Sequence, residues 1–233
     1  MKGIDFTHVF LYTNCQEGFQ MNDIIETLKN AGIVPVIVIE DEELSVPLAR
    51  ALVKGGLPVL EVTYRTKAAP GAIARIKAEV PDAIVGAGTL LTRDMVLSAK
   101  ASGAAFGVAP GFDPTVIAAA KEADLPMVPG IATASELSQA LSAGMKLVKF
   151  FPAEAAGGVK MIKNLLGAFR FTGVKFMPTG GINLANVADY LAVPEIVACG
   201  GTWIVPKDAL AANDWGAIEK LAADAAAIVR NRQ

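Results

Sequence analysis

The sequence has very few of the side chains that bind transition metals. Its 233 residues include one histidine, His8, and two cysteines, Cys15 and Cys199. Zinc and copper sites draw mainly on these two residue types, and two distant cysteines build no disulfide framework. The sequence therefore predicts no transition-metal site and no oxidising compartment. The scarcity of histidine and cysteine does not exclude a magnesium site built from oxygen ligands.

An excess of basic residues is also missing. The chain has 21 Lys and Arg against 23 Asp and Glu, which gives a net charge of −2. A nucleic-acid partner is therefore not expected, since binding to the phosphate backbone depends on clustered cations. No run of 18 apolar residues is present, and the N-terminus lacks a basic head followed by a long apolar run. The sequence predicts no membrane span and no signal peptide, and hence a cytoplasmic location.

Short apolar runs do occur, and they alternate with alanine-rich amphipathic stretches. The runs are near-continuously apolar, which is typical of parallel strands covered by helices on their faces. Eight such units in a chain of this length favour one (β/α)₈ barrel, because the rival open sheet would carry a G-x-G-x-x-G turn that is absent here. The predicted strands are 33–39, 58–63, 83–87, 104–109, 127–129, 146–151, 174–178 and 196–199, and the clearest predicted helices are 44–54, 69–80, 93–102, 114–123, 134–143, 184–191 and 215–230.

The first twenty residues read differently from the rest, without clear periodicity. We assign residues 1–20 to an N-terminal extension, which could be a short strand or helix packed on the barrel, and residues 21–233 to the barrel domain. Helix-start signals follow along the chain. Asn22 or Asp23 is expected to cap the first helix, Asp113 and Asn183 to cap later ones, and Thr133 with Glu136 to form a capping box.

Lys149 lies within an apolar strand, the sixth, and Glu61 lies on the second. Burial disfavours an ammonium ion, and a neutral amine is a nucleophile toward a carbonyl carbon. Strand alternation puts Glu61 on the face opposite to Leu60. Since alternate strands fill the same interior layers of a barrel, Glu61 and Lys149 are predicted to meet as an acid/base pair. The alternatives are a Lys149 that reaches solvent and a Glu61 that merely pairs with Arg65 or with another basic residue.

Glycine pairs follow the seventh and eighth predicted strands, each beside a threonine. Loops at this position of a barrel often bind phosphate, and glycine lets backbone N–H groups approach an anion. A helix beginning near Asn183 would add its positive end. Ordinary turn chemistry is the alternative explanation. The predicted phosphate site comprises Thr179, Gly180, Gly181, Gly200, Gly201 and Thr202.

Four further residues complete the predicted pocket. Arg65 offers a planar fork to a substrate carboxylate, unless it only forms a surface ion pair, and Thr89 follows the next strand. Phe151 shares the face of Lys149 and would form an apolar wall. Pro110, at the end of the fourth strand, is expected to line the same pocket.

Five segments together resemble the 2-keto-3-deoxy-6-phosphogluconate (KDPG) / 4-hydroxy-2-oxoglutarate (KHG) aldolases. They are LEVTYRT at 60–66, VGAGT at 85–89, KFFPAE at 149–154, PTGGI at 178–182 and GGTW at 200–203. The similarity runs from about residue 31 to the C-terminus. Two departures stand out: Thr202 replaces a serine and Tyr64 a leucine of the best-known members. The first keeps the hydroxyl, and the second should affect packing only.

The resemblance implies a class I aldolase of the Entner–Doudoroff pathway, a carbon–carbon lyase that splits KDPG into pyruvate and glyceraldehyde 3-phosphate. Lys149 matches the Schiff-base lysine, Glu61 the general acid/base, and Arg65 and Thr89 the carboxylate contacts. The resemblance also implies a homotrimer and no cofactor. KHG cleavage and a preference for the galactonate epimer stay open. A sugar-phosphate isomerase or epimerase would also use the glycine pairs, as would a non-catalytic sugar-phosphate sensor.

Overall fold

The computed structural model describes residues 20–230 of the chain. Within this range nine short strands and ten α-helices form, together with 3₁₀ turns at Glu42–Leu44 and Arg170–Thr172. The strands β1–β9 span Ile33–Ile37, Val59–Thr63, Ile84–Gly88, Gly107–Val108, Met127–Val128, Gly130–Ile131, Leu147–Phe150, Lys175–Pro178 and Cys199–Gly201. The helices α1–α10 span Met21–Ala31, Ser45–Lys54, Ala69–Glu79, Arg93–Ala101, Pro114–Glu122, Ala134–Ser142, Gly158–Phe169, Val187–Leu191, Lys207–Ala211 and Trp215–Arg230.

All strand pairs within the described residues are parallel, and they form two sheets. One sheet has the order β5-β4-β3-β2-β1-β9 and the other β6-β7-β8. Single parallel bridges at Phe176↔Ile196 and Thr179↔Gly200 connect β8 to the segment that contains β9. Because parallel strands need crossover connections, helices lie between successive paired strands; within the described range only β5 and β6, which do not pair with each other, follow without a helix. The predicted α/β fold with parallel strands is thereby confirmed.

Two strand predictions need correction. The predicted strand 127–129 is interrupted at Pro129, which has no N–H for the ladder, and pairing resumes with Gly130 opposite Lys149. The predicted strands six to eight are therefore β7, β8 and β9. The last one also lies further along the chain than predicted. Gly200 and Gly201 pair with β1, so these glycines belong to the strand and not to the turn after it.

The predicted helices are present, and α7 and α9 are additional helices that the sequence pattern did not reveal. The capping box of Thr133 and Glu136 is confirmed, as is the Asp113 cap, whose carboxylate accepts from the Thr115 N–H. The other two caps were wrong. Gln20 precedes α1, where its N–H donates to the Asp23 carboxylate. The predicted cap Asn183 instead forms a turn before α8, which begins at Val187.

Each strand buries both faces, and the two faces belong to different apolar layers. Val59 and Leu147 lie in an inner cluster with residues of the other strands. Leu60 and Val148, their neighbours in the chain, lie in the outer cluster against the helices. Ile24 of α1 joins the inner cluster. The inner layer is therefore covered at the amino ends of the strands, which leaves the carboxyl ends for a site.

The predicted extension, residues 1–20, lies outside the described residues except for Gln20, and so do His8 and Cys15. Within residues 20–230, no helix is long and apolar enough to cross a membrane.

Candidate active site

Lys149 of β7 and Glu61 of β2 form a buried ion pair. The Lys149 Nζ donates to the Glu61 Oε1 over 3.3 Å, although the two residues are 88 positions apart in the sequence. Their side chains are 6% and 0% exposed. The predicted meeting of these groups is therefore confirmed, and the alternatives of a solvent-facing lysine and of a Glu61–Arg65 pair are wrong.

The position of the pair follows from the alternation of β2 and β7. Leu147 and Val59 point into the inner cluster, so the residues two places later, Lys149 and Glu61, project on the same side one layer closer to the carboxyl ends. Space for the Glu61 carboxylate comes from Gly88 of β3. A Cβ built on Gly88 would lie 2.2 Å from the Glu61 Oε1.

A buried ion pair is costly to desolvate, and it stabilises a fold only when both charges are well satisfied. Here the second carboxylate oxygen of Glu61, Oε2, has no hydrogen-bond partner within residues 20–230. Burial of this pair therefore costs desolvation free energy, and the packing of the core does not need charged groups at these positions. Such an arrangement is typical of a reactive centre.

The ring of Phe151 lies beside the amine, with its centroid 5.4 Å from the Lys149 Nζ. An aromatic ring thus lies next to the amine, and its role as the apolar wall of a substrate pocket stays a prediction. Pro110 is half-buried after β4. A Cβ built on Gly130 would lie 2.1 Å from the Pro110 carbonyl oxygen. The loop that carries Pro110 therefore packs directly on β6, the strand that pairs with β7.

Arg65 and Thr89 lie just beyond the carboxyl ends of β2 and β3. Arg65 is exposed, and it makes no ion pair with any residue of the described range. Within residues 20–230 the Arg65 guanidinium therefore has no carboxylate partner, and its role as a carboxylate-binding residue stays a prediction. Thr89 has φ +60. This left-handed conformation is a genuine outlier for a β-branched residue and costs about 1–3 kcal/mol, a kind of strain that clusters at ligand sites.

The turn after β8 has the features of an anion site. Gly180 and Gly181 have φ values of +102 and +79, a conformation that glycine adopts without steric cost. Their N–H groups donate to no acceptor in the part of the chain that the structure describes. The Thr179 hydroxyl is buried and likewise has no partner there. Consecutive backbone N–H groups that point into a concave turn form a nest for anions.

The second glycine pair adjoins this turn through Thr179. Gly200 of β9 bridges to Thr179, and a Cβ on Gly200 would lie 2.3 Å from the Thr179 Oγ1. The Trp203 indole covers Gly201, and Thr202 is exposed at the strand end. The two predicted glycine pairs therefore lie together, but the helix end expected at Asn183 does not contribute.

Glu154 and Tyr190 are site-adjacent residues that the sequence pattern did not single out. The Tyr190 hydroxyl donates to the Glu154 carboxylate. Burial and, after it, this carboxylate raise the pKa of Tyr190 well above its usual range. The stem of Glu154 adjoins the glycine turn, since a Cβ built on Gly181 would lie 2.6 Å from the Glu154 Cβ. The only signal in the sequence was the place of Glu154 in the KFFPAE segment.

Residues 20–230 contain no group of three or more His, Cys, Asp or Glu side chains that could hold a metal ion. The chemistry available to the described residues is that of an amine, a carboxylate, a guanidinium and backbone N–H groups. The fold and the site together define an α/β enzyme with a lysine–carboxylate centre.

Residues 24–221 match the family model described as KDPG and KHG aldolase. The chain therefore belongs to the KDPG and KHG aldolase family. It is 48% identical to the KHG/KDPG aldolase of Escherichia coli over 198 residues, which cover 85% of this chain and 92% of that protein.

Solved structures give the same result. A KDPG aldolase from Legionella pneumophila, with pyruvate captured at low pH as a covalent carbinolamine intermediate, has a TM-score of 0.83 and 40% identity. That match covers 88% of this chain and 97% of the other. The aldolase of Zymomonas mobilis with 3-phosphoglycerate has a TM-score of 0.84 and 41% identity, and the match covers 90% and 97%.

Proposed function

We propose that this protein is a class I aldolase that cleaves KDPG into pyruvate and glyceraldehyde 3-phosphate. The observation that carries the proposal is the buried pair in which the Lys149 amine lies 3.3 Å from the Glu61 carboxylate. An amine becomes a nucleophile when it loses its proton, and the carboxylate beside it is the group that can receive that proton.

The reaction begins when the Lys149 Nζ attacks the C2 carbonyl carbon of the keto acid. The resulting carbinolamine loses water and becomes a protonated imine, which draws electrons from the C3–C4 bond. Glu61, directly or through a water molecule, takes the proton of the C4 hydroxyl, and glyceraldehyde 3-phosphate leaves. The enamine then takes a proton at C3 from Glu61. Hydrolysis of the imine frees pyruvate and restores the Lys149 amine.

The surrounding residues orient the substrate in this proposal. Arg65 and Thr89 hold the carboxylate of the keto acid, because an exposed guanidinium and a threonine lie at adjacent strand ends. Phe151 and Pro110 line the pocket around the reacting carbons. The pyruvate adduct in the Legionella structure supports a covalent step of this kind.

The phosphate end of the substrate binds at the turn after β8 and at the end of β9. The residues proposed to hold it are Thr179, Gly180, Gly181, Gly200, Gly201 and Thr202. The free N–H groups of the turn support this assignment, as does the phosphorylated ligand, 3-phosphoglycerate, of the Zymomonas structure. KHG, which lacks a phosphate, is a second candidate substrate. It is favoured by the name of the Escherichia coli relative and by the pyruvate half that the two substrates share.

We extend the proposal to the architecture and assembly. The two parallel sheets would form one closed (β/α)₈ barrel, with β5 and β6 acting as a single strand and the bridges between β8 and β9 completing the ring. Residues 21–233 would constitute this domain, preceded by the extension 1–20. We also propose a homotrimer without a cofactor, as the family resemblance implies, and a cytoplasmic location; sedimentation analysis tests the trimer.

Borohydride trapping tests the proposed function directly. Incubation with pyruvate and borohydride should attach one reduced pyruvyl group to the peptide that contains Lys149, and Lys149→Met should abolish the labelling. The matched control is Lys146→Met, which removes an exposed lysine three residues earlier and should keep the label. Labelling of another lysine, or of none, would contradict the Schiff-base assignment.

A further inference from the structure

The Gly180–Gly181 turn is held by the loop that follows β7 and by Asn186, the residue directly before α8. Backbone N–H groups of that loop bind two carbonyls of the turn: Ala153 donates to Thr179 O over 2.8 Å, and Glu154 donates to Gly180 O over 3.0 Å. The Asn186 side-chain amide donates to the third carbonyl, Gly181 O, over 3.2 Å. Because all three carbonyls are bound on the protein side, the free N–H groups are left for an anion.

The side chain of Glu154 contacts the turn and also links the β7 loop to α8. Its stem lies against the turn, since a Cβ built on Gly181 would lie 2.6 Å from the Glu154 Cβ. Its carboxylate accepts the hydroxyl proton of Tyr190. Tyr190 lies on α8, and it is 1% exposed within the outer apolar layer. An exposed glutamate whose stem lies against the glycine turn is thus tied to a tightly packed ring.

We propose that Glu154 and Tyr190 are positioning residues that hold the Gly180–Gly181 turn in the geometry needed to bind the phosphate of the substrate. The inference rests on the proposed function. Neither side chain has to touch the substrate, because the effect passes through the backbone of the turn. A hydrogen bond to a carboxylate is stronger than a neutral one, and its donor is anchored by packing, so the pair can keep the β7 loop and the turn together.

The reacting centre should not depend on this pair. Lys149 precedes the β7 loop and is held within the sheet by its own N–H, which donates to Pro129 O over 2.8 Å. Its partner Glu61 lies on β2, in the other sheet. Loss of the Tyr190 hydroxyl should therefore weaken binding of the phosphate end and leave chemistry on pyruvate alone intact.

Tyr190→Phe tests the inference, because it removes the hydroxyl and keeps the ring. We expect the KM for KDPG to rise about tenfold, a change in binding of about 1.4 kcal/mol. The exchange of pyruvate methyl protons with solvent, which needs Lys149 but no phosphate, should stay at the wild-type rate. Tyr64→Phe is the matched control. It removes a hydroxyl that lies 3.2 Å from the Ser98 Oγ, on the helix side of the fold, and should change neither quantity.

The Glu154 variants give an independent measurement should Tyr190→Phe fold poorly. Glu154→Gln keeps an oxygen acceptor for the Tyr190 hydroxyl and should retain a KM near that of the wild type. Glu154→Ala should show the raised KM. A merely structural role would not produce this rescue together with an unchanged pyruvate exchange.

Two results would overturn the inference. One is an unchanged KM for KDPG in well-folded Tyr190→Phe or Glu154→Ala. The other is an equal fall of KDPG turnover and pyruvate exchange, which would mean that the pair supports the whole site. Failure of the proposed function is a separate result, because wild-type enzyme would then neither exchange pyruvate protons nor be trapped by borohydride.

Discussion

A single variant of Thr179 should stabilise the fold and at the same time weaken the binding of phosphate. Its side chain is buried, and its hydroxyl has no hydrogen-bond partner within residues 20–230. Thr179→Val replaces that hydroxyl with a methyl group of similar size. The replacement keeps the β-branched shape, so the close contact with Gly200 changes little.

The magnitudes follow from the burial of the group. A buried polar group without a partner costs about 1–3 kcal/mol. Removal of the Thr179 hydroxyl should therefore raise the free energy of unfolding by about 1 kcal/mol or more, which corresponds to about 2–4 °C in Tm for a chain of this length. In the proposed function the same change also removes a donor to the substrate phosphate. A hydrogen bond to a charged group contributes about 1.5–3 kcal/mol, so the KM for KDPG should rise at least about tenfold.

Thr63→Val is the matched control, because it makes the same replacement at a buried threonine whose hydroxyl is paired. The Thr63 Oγ1 donates to the Ile37 carbonyl over 2.8 Å. Its loss leaves that carbonyl without this bond, so Thr63→Val should lower the free energy of unfolding by about 1–3 kcal/mol.

Denaturant unfolding and steady-state pyruvate release measure the two quantities for each variant. A Thr179→Val protein that loses as much stability as Thr63→Val would refute the reasoning about the unpaired hydroxyl. An unchanged KM would remove Thr179 from the phosphate site.

Three further predictions concern the reacting centre. Glu61→Gln should lower kcat by about 10²–10⁴-fold and slow the exchange of pyruvate protons. The control Glu195→Gln removes a carboxylate that is paired with Arg170, and it should change neither rate. Similar rates in the two variants would exclude Glu61 as the base. Gly88→Ala should displace the Glu61 carboxylate, since the added Cβ would lie 2.2 Å from its Oε1. A displacement of a catalytic group by about 1 Å can lower kcat about 10²-fold. A kcat equal to that of the wild type would show that the position of the Glu61 carboxylate does not limit catalysis. Chelator treatment should leave activity unchanged, and a lasting loss restored by a divalent ion would point to a metal-dependent reaction.

Much of the site could be predicted because its residues obey local rules. The alternation of β2 alone distinguishes Glu61 from Leu60, and an apolar strand makes Lys149 stand out. Residues at the carboxyl ends of parallel strands converge in space, so Arg65 and Thr89 could be assigned to the same pocket.

The misassigned elements depend on interactions that a local pattern does not contain. The turn after Gly181 is formed by hydrogen bonds of the Asn183 and Asn186 side chains. The helix therefore begins at Val187 and not near Asn183. A glycine such as Gly200 is typical of turns, but here it belongs to a strand because it pairs with β1.

The sequence by itself determined the parallel α/β class and the inward direction of Glu61 and Lys149, because period-two alternation and apolar runs are properties of each segment alone. Only the tertiary structure decided which groups meet and which lack a partner. The 3.3 Å contact of Lys149 with Glu61, the unpaired hydroxyl of Thr179 and the link from Tyr190 to Glu154 each depend on the packing of strands and helices far apart in the chain. Burial and pairing arise only when those elements come together.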